Sequence, residues 1–248
     1  MTDYMEAGEL SPTLDYEYAY GHKDVNVLSV ADTVKKLREK VAPLRFRIAA
    51  RSISRELNLN GGEKVLEIGS GLGLLGKEIK EEVDGSIDYF GVELAFNPSK
   101  EGRENQIDPV QANAVKLPFA EETFDAVVST DVMEHVADAD SAIGEIGRVL
   151  RPGGKAFIVI ADPSEARFEN VEGHINRSGE NTDVPYWEEK FEKSGLTLLK
   201  DNSEKYRSKD WRKVFNLPFL TKIKDKPGFA CAFNPVNRPG TYVLVKTS

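Results

Sequence analysis

Nine residues, Val65-Leu66-Glu67-Ile68-Gly69-Ser70-Gly71-Leu72-Gly73, constrain the fold of this chain more than any other stretch. An apolar run gives way to glycine at every second position, and helical spacing follows over Leu74 to Glu82. Glycine enters the left-handed backbone region at little steric cost and lets other groups come close to the main chain. The segment therefore reads as strand, tight turn and helix, the opening of a βαβ unit. Downstream, short apolar runs alternate with helical stretches, the pattern of a largely parallel sheet covered by helices. Strands are predicted at Lys64 to Ile68, Ile87 to Glu93, Pro109 to Gln111, Phe124 to Ser129, Lys155 to Ile160, Leu196 to Lys200 and Tyr242 to Lys246. Helices are predicted at Leu74 to Glu82, Pro98 to Glu104, Asp138 to Leu150 and Val184 to Lys193, with Arg151-Pro152-Gly153-Gly154 ending a helix and turning into a strand. The expected architecture is α/β, a three-layer sandwich around a mostly parallel seven-stranded sheet.

The N-terminal part has a different texture. Residues 1 to 27 are acidic and tyrosine-rich, which predicts an irregular arm. Ser29 with Asp32 resembles a capping box that starts a helix; Pro43 separates it from a second one near Leu44 to Leu57, and Asn60-Gly61-Gly62 stops that. The expected division is an arm and helical cap over residues 1–60 and the sheet domain over residues 61–248, with a variable segment at 203–240. A single cysteine, Cys231, excludes an internal disulfide framework and a thiolate-rich zinc site, and no metal is expected. Neither a secretory signal nor a membrane span is read, since the longest apolar run is Ala156 to Ala161; the expected location is the cytoplasm. The net charge of -8 makes nucleic acid an unlikely partner for the surface as a whole. Basic stretches at Lys35 to Arg55 and Lys205 to Lys213 read most simply as solvated helix faces.

Two cofactors use a glycine turn of this kind. Gly71-x-Gly73-x-x-Gly76 matches the dinucleotide fingerprint literally, but its register is wrong. Counted from Gly69 the third glycine falls on Leu74; counted from Gly71 the strand would contain Glu67, Gly69 and Ser70. The spacing Glu67-x-Gly69-x-Gly71-x-Gly73 instead resembles the class I S-adenosylmethionine-dependent methyltransferases, in particular the small-molecule branch known as methyltransferase type 11. S-adenosylmethionine carries an ammonium and a sulfonium and no pyrophosphate, so an acid at Glu67 favours it. The resemblance extends over most of residues 61 to 161. It includes Glu93-Leu94, Ala112-Asn113-Ala114-x-x-Leu117-Pro118-Phe119, Phe124 to Ser129, Asp131-Val132-Met133-Glu134-His135-Val136 and Arg148 to Gly154.

The resemblance implies a Rossmann-like fold, S-adenosyl-L-methionine as cofactor and a set of donor-binding positions. These are Glu67, Gly69, Ser70, Gly71 and Gly73 in the turn, Glu93 for the ribose hydroxyls, Leu94 for one adenine face, and Asn113 with Ala114 for the adenine edge. Thr130, Asp131 and Val132 complete it at the end of the fourth strand. Asn113 stands where the family commonly has aspartate, so any bond to the adenine amino group loses its charge-assisted share.

Methyl transfer is an in-line displacement that needs a base only when the acceptor arrives protonated. The candidate catalytic residues are His135, at the open edge of the sheet, and His174, in the loop after the fifth strand. Tyr16, Tyr18, Tyr20 and His22 of the arm, with His174, are the candidate acceptor-binding residues, and the arm is expected to act as a lid. The expected partner is a small-molecule acceptor methylated at O or N, less readily at C, with a homodimer left open as the assembly. Alternatives are an RNA or protein methyltransferase that docks through the basic segments 35–55 and 205–213, or a non-catalytic, cofactor-binding regulatory subunit.

Overall fold

A computed structural model describes residues 45–83, 86–94, 107–160, 184–201 and 240–247, all within one compact unit that spans Pro43–Ser248. The first helix, α1, covers residues 45–57. It is followed by β1 (Lys64–Ile68), α2 (Leu74–Glu82), β2 (Asp88–Glu93), β3 (Asp108–Gln111) and β4 (Phe124–Thr130). A single 3-10 turn (Met133–His135) leads to α3 (Ala139–Val149), β5 (Leu150–Val159), α4 (Val184–Lys193), β6 (Leu196–Asp201) and β7 (Thr241–Lys246). The predicted helix at Pro98 to Glu104 lies outside the described residues.

The strands form one seven-stranded sheet in the order β3-β2-β1-β4-β5-β7-β6. All neighbours are parallel except β7, which runs antiparallel to both β5 and β6. The chain winds outward from β1 to β3 and then crosses back to place β4 on the other side of β1. That reversal opens a crevice at the carboxyl ends of β1 and β4, where open α/β sheets bind ligands.

Strand alternation divides the core into two layers. Leu66, Ile68, Val127, Ile158 and Leu244 face Ile143 and Ile146 of α3 and Trp187 and Phe191 of α4. Val65, Tyr89, Val128, Phe157 and Val243 face Ala50, Ile53 and Leu57 of α1 and Leu75 and Ile79 of α2. Asp138 caps α3, accepting from the Ser141 N–H at 3.0 Å, which fixes the start of the helix that carries Glu145 and Arg148.

One expected boundary is corrected. Arg151-Pro152-Gly153-Gly154 does not lead into the fifth strand; it lies inside it. Phe124 pairs with Leu150 and Ala126 with Lys155, so one residue of β4 faces four of β5 across the register shift. The four form a bulge, where proline has no ladder bond to lose.

Two helical glycines predict opposite responses to alanine. A Cβ on Gly76 in α2 would fall 2.5 Å from Tyr89 Cε1 and 2.8 Å from Ile107 Cγ2, whereas one on Gly144 in α3 meets nothing within 4 Å. Overpacking costs about 1–3 kcal/mol, and alanine gains up to about 1 kcal/mol in helix propensity. Urea unfolding should show Gly76→Ala destabilised and Gly144→Ala unchanged or stabilised.

Candidate active site

The glycine turn lies at the carboxyl end of β1 with Gly69, Gly71 and Gly73 all in the left-handed region, at φ 75°, 50° and 75°. No side chain fits at the first of these, since a Cβ on Gly69 would fall 2.2 Å from Val132 Cγ2. The turn's N–H groups are consumed by the protein itself. Those of Gly69 and Ser70 donate to the Val92 carbonyl at 2.8 and 3.0 Å, and that of Gly73 donates to the Ser70 carbonyl at 2.8 Å. The Gly71 N–H donates to Glu93 Oε2 at 3.0 Å. A pyrophosphate-binding turn presents such groups to the ligand; here those of Gly69, Ser70 and Gly71 hold the turn against β2, and that of Gly73 closes the turn on itself.

Two carboxyl groups back this turn. Glu67 is 2% exposed and lies on the same face of β1 as Val65, where its Oε2 accepts from the Tyr89 hydroxyl at 3.1 Å. Burial pushes the Glu67 carboxyl up to about 8, helped by repulsion from Glu93 and opposed by the Tyr89 hydrogen bond. Its role is therefore buried support beneath the turn, in the company of a phenol. Glu93, at the end of β2, is half-buried, and Leu94 beside it is 66% exposed. Ser70 is buried with its hydroxyl unpartnered among the described residues, against Gly91.

The segment from Asn113 to Phe119 is held by its own backbone and by α3. Asn113 Oδ1 accepts from the Val115 N–H at 3.2 Å, so part of its acceptor capacity goes to closing the local turn. Ala114 is buried and packs with the core, and Asn113 is exposed. Glu145 Oε2 accepts from the Leu117 N–H at 2.6 Å, and the Arg148 guanidinium donates to the carbonyls of Leu117 and Phe119 at 3.2 and 2.8 Å while also bonding to Glu145. This clamp holds Glu145 below its ordinary pKa. Motif spacing marks Arg148 only as part of Arg148 to Gly154; the carbonyls it holds lie about thirty positions away, where local sequence carries no signal. Phe90, Phe119 and Phe124 pack edge to face in the same region, with centroids 4.9–6.1 Å apart.

At the end of β4, Thr130 and Asp131 are half-buried, and Asp131 is one of the non-glycine residues with positive φ, at 58°. Its N–H donates to the Val159 carbonyl at 2.9 Å, and its carboxylate lies 3.8 Å from Arg45 of α1. His135 is exposed on the 3-10 turn, its N–H donating to the Val132 carbonyl. The structure thus brings the turn, Glu93, Asp131, Val132 and His135 to one edge of the sheet. His174, Tyr16, Tyr18, Tyr20 and His22 lie outside the described residues, as does the basic segment at 205–213. In the other basic segment, Arg47 and Arg51 pair with Glu78 and Glu82 of α2 at 3.4 Å each, which offsets the charge of that helix face. No helix among the described residues is long and apolar enough to cross a membrane.

The buried Glu67 predicts a specific pH dependence. Its carboxyl titrates near 4.5 when exposed and near 8 in the fold, so between those values the folded state binds more protons than the unfolded one. Its contribution is intact below pH 4.5 and is lost as pH rises toward 8. Unfolding measured without ligand should show Glu67→Gln gaining on the wild type over this window, by at most about 1.4 kcal/mol per pH unit. A constant difference between the two across that window would contradict the burial.

Comparison with known proteins agrees with this geometry. A family model described as a methyltransferase domain matches residues 66–158. Methyltransferase GfsG of Streptomyces halstedii is 32% identical over 61% of this chain and 59% of its own length. The ubiquinone/menaquinone biosynthesis C-methyltransferase UbiE of Hahella chejuensis is 30% identical over 56% of this chain and 64% of its own. The chain therefore spans less than two thirds of the length of either relative. Among solved structures, a chain in the Haloferax volcanii complex between a methyltransferase activator and its candidate methyltransferase superposes with a TM-score of 0.63 at 17% identity, covering 88% of this chain and 97% of that one. The [4+2]-cyclase SpnF superposes with a TM-score of 0.53 at 20% identity, covering 79% and 78%. These two show the fold alone. The acid-backed glycine turn at the switch point of the sheet falls within residues 66–158, the part of the chain that matches a methyltransferase domain.

Proposed function

We propose that the protein transfers a methyl group from S-adenosylmethionine to an oxygen or nitrogen atom of a small molecule. The observation that carries the donor assignment is the hydrogen-bond economy of the turn. The N–H groups of Gly69, Ser70, Gly71 and Gly73 are spent internally, and Glu67 and Glu93 back the same turn. With the turn's N–H groups spent and the Glu93 carboxylate at its edge, the site offers a pyrophosphate no donors there and suits a ligand with positive charge; the buried Glu67, pushed up to about 8, supports the turn without adding charge at neutral pH. When bound, S-adenosylmethionine supplies a methyl group activated by a sulfonium. Glu93 is assigned to the ribose hydroxyls, Leu94 to one adenine face, and Asn113 with Ala114 to the adenine edge. Gly69, Ser70, Gly71 and Gly73 allow close approach along the donor. Thr130, Asp131 and Val132 border the methionine end.

The protein's own contribution to the displacement is to hold the two reactants in line and keep water out. His135, exposed at that edge, is assigned as the base for an acceptor that arrives protonated. Tyr16, Tyr18, Tyr20, His22 and His174 are assigned to the acceptor side. Similarity to the C-methyltransferase UbiE supports carbon as the second acceptor atom. Fold alone does not choose, since a [4+2]-cyclase shares it. Docking of RNA or protein on α1 is disfavoured by the pairing of Arg47 and Arg51 with α2.

Incubating the protein with methyl-labelled S-adenosylmethionine and a metabolite extract should label a small molecule at O or N. Label on carbon would shift the acceptor class, and label in macromolecules would replace it. S-adenosylhomocysteine should raise the thermal midpoint, by about 2.7 kcal/mol of stabilisation at a hundredfold excess over its Kd, and NAD should not. Glu93→Ala should weaken binding of S-adenosylhomocysteine by about 1–3 kcal/mol in calorimetry. An unchanged affinity would place the ribose elsewhere.

A further inference from the structure

Asn113 is left with one kind of hydrogen bond to offer a ligand. It follows β3 and stands beside the end of β2, where the Ala112 N–H donates to the Glu93 carbonyl at 3.1 Å. Its main-chain carbonyl accepts from the Lys116 N–H at 3.0 Å, and its side-chain Oδ1 accepts from the Val115 N–H at 3.2 Å. Both bonds close one tight turn, of the kind that asparagine and aspartate side chains make with the backbone two residues on. Because a main-chain N–H can only donate, the oxygen end of the amide is the end that faces into the turn. The amino end, Nδ2, points the other way, on an exposed side chain and without a protein partner among the described residues.

The turn is fixed on both sides. Asn113 bridges to Lys116, Ala114 is buried in the core, and just beyond them Glu145 and Arg148 hold the backbone of Leu117 and Phe119. An aspartate here, the residue common in the family that the sequence resembles, would accept the same Val115 N–H with one oxygen and present its second oxygen outward. Asparagine keeps the turn and replaces that outward acceptor by two N–H donors. The hydrogen-bonding sense of the presented group is thereby inverted, and more than a charge is lost. An amino group set against Nδ2 meets donor with donor, whereas a ring nitrogen or a carbonyl oxygen meets its complement.

Resting on the assignment of this crevice to an adenosyl sulfonium, we propose that Asn113 reads the base through an acceptor atom, which makes the site tolerant of a 6-oxopurine in place of adenine. Adenine offers its ring nitrogen N1 to the Asn113 amino group, beside a 6-amino group that gains nothing from it. Hypoxanthine offers O6 in the position of that 6-amino group. A carboxylate would reject the 6-oxo base, because its outward oxygen would be left without a donor. Asn113 leaves no such acceptor unpaired, so the selectivity for adenine is lost.

Calorimetry on the full chain with S-adenosylhomocysteine and S-inosylhomocysteine tests this, because the two ligands differ only at the six-membered edge of the base. The wild type should bind S-inosylhomocysteine less than fivefold more weakly than S-adenosylhomocysteine. Asn113→Asp should move the ratio of the two affinities at least fivefold toward S-adenosylhomocysteine. The substitution keeps the turn closed, since a carboxylate oxygen also accepts from the Val115 N–H. A wild type that favours the adenosyl ligand fivefold or more overturns the proposal. So does an aspartate variant whose ratio moves by less than fivefold, or one that binds neither ligand. Failure of the wild type to bind either ligand would instead overturn the assignment of the crevice itself.

Discussion

The hydrogen bond from the Gly71 N–H to the Glu93 carboxylate ties the glycine turn to the second strand, and the organisation of the site depends on it. A turn whose glycines lie in the left-handed region has N–H groups that must be satisfied by the protein, by water or by a ligand. Here β2 supplies the partners, through the Val92 carbonyl and the Glu93 side chain. The same glycine pattern that in a dinucleotide protein would leave donors facing a phosphate is thereby closed off, and the surface that remains is acidic. The identity of the ligand follows from where these bonds go more than from the count of glycines.

The layers below make that arrangement rigid. Glu67 faces Gly91 across the β1–β2 ladder, and the absent side chain at Gly91 leaves room for Ser70, whose Oγ would lie 2.6 Å from a Cβ there. Tyr89, two residues back on β2, reaches under the turn to Glu67 and packs against Gly76 of α2. On the other face, Arg148 and Glu145 fasten the Leu117–Phe119 backbone to α3. The donor edge is thus gripped from both layers, and loop segments with little regular structure acquire fixed positions from helices that are themselves packed on the sheet.

Much of this is legible in the sequence where the signal is local. The β1 to α2 unit, α4, and the positions of Glu93 and Asp131 at strand ends follow from periodicity and motif spacing, because strand alternation and helix spacing act over a few residues. The bulge at Arg151 to Gly154 is not legible, since Pro-Gly-Gly has the composition of a turn and only pairing with Phe124 and Ala126 shows that the strand continues through it. The Arg148 clamp and the Arg45–Asp131 pair join residues separated by about thirty and about ninety positions, for which no local pattern exists. Glu67 is an intermediate case. Its acidic character suggested contact with a cation, but its strand face, shared with Val65, places it in the buried layer beside Tyr89.

The central claim is that the acid-backed turn and the end of β2 form a donor site for an adenosyl sulfonium. A crystal structure of the full chain with S-adenosylhomocysteine tests it most directly. The account predicts the ribose hydroxyls within hydrogen-bonding distance of the Glu93 carboxylate, with the Gly71 N–H still donating to that side chain. A ligand bound away from the β1–β4 crevice, or a ribose that leaves Glu93 untouched, would contradict it.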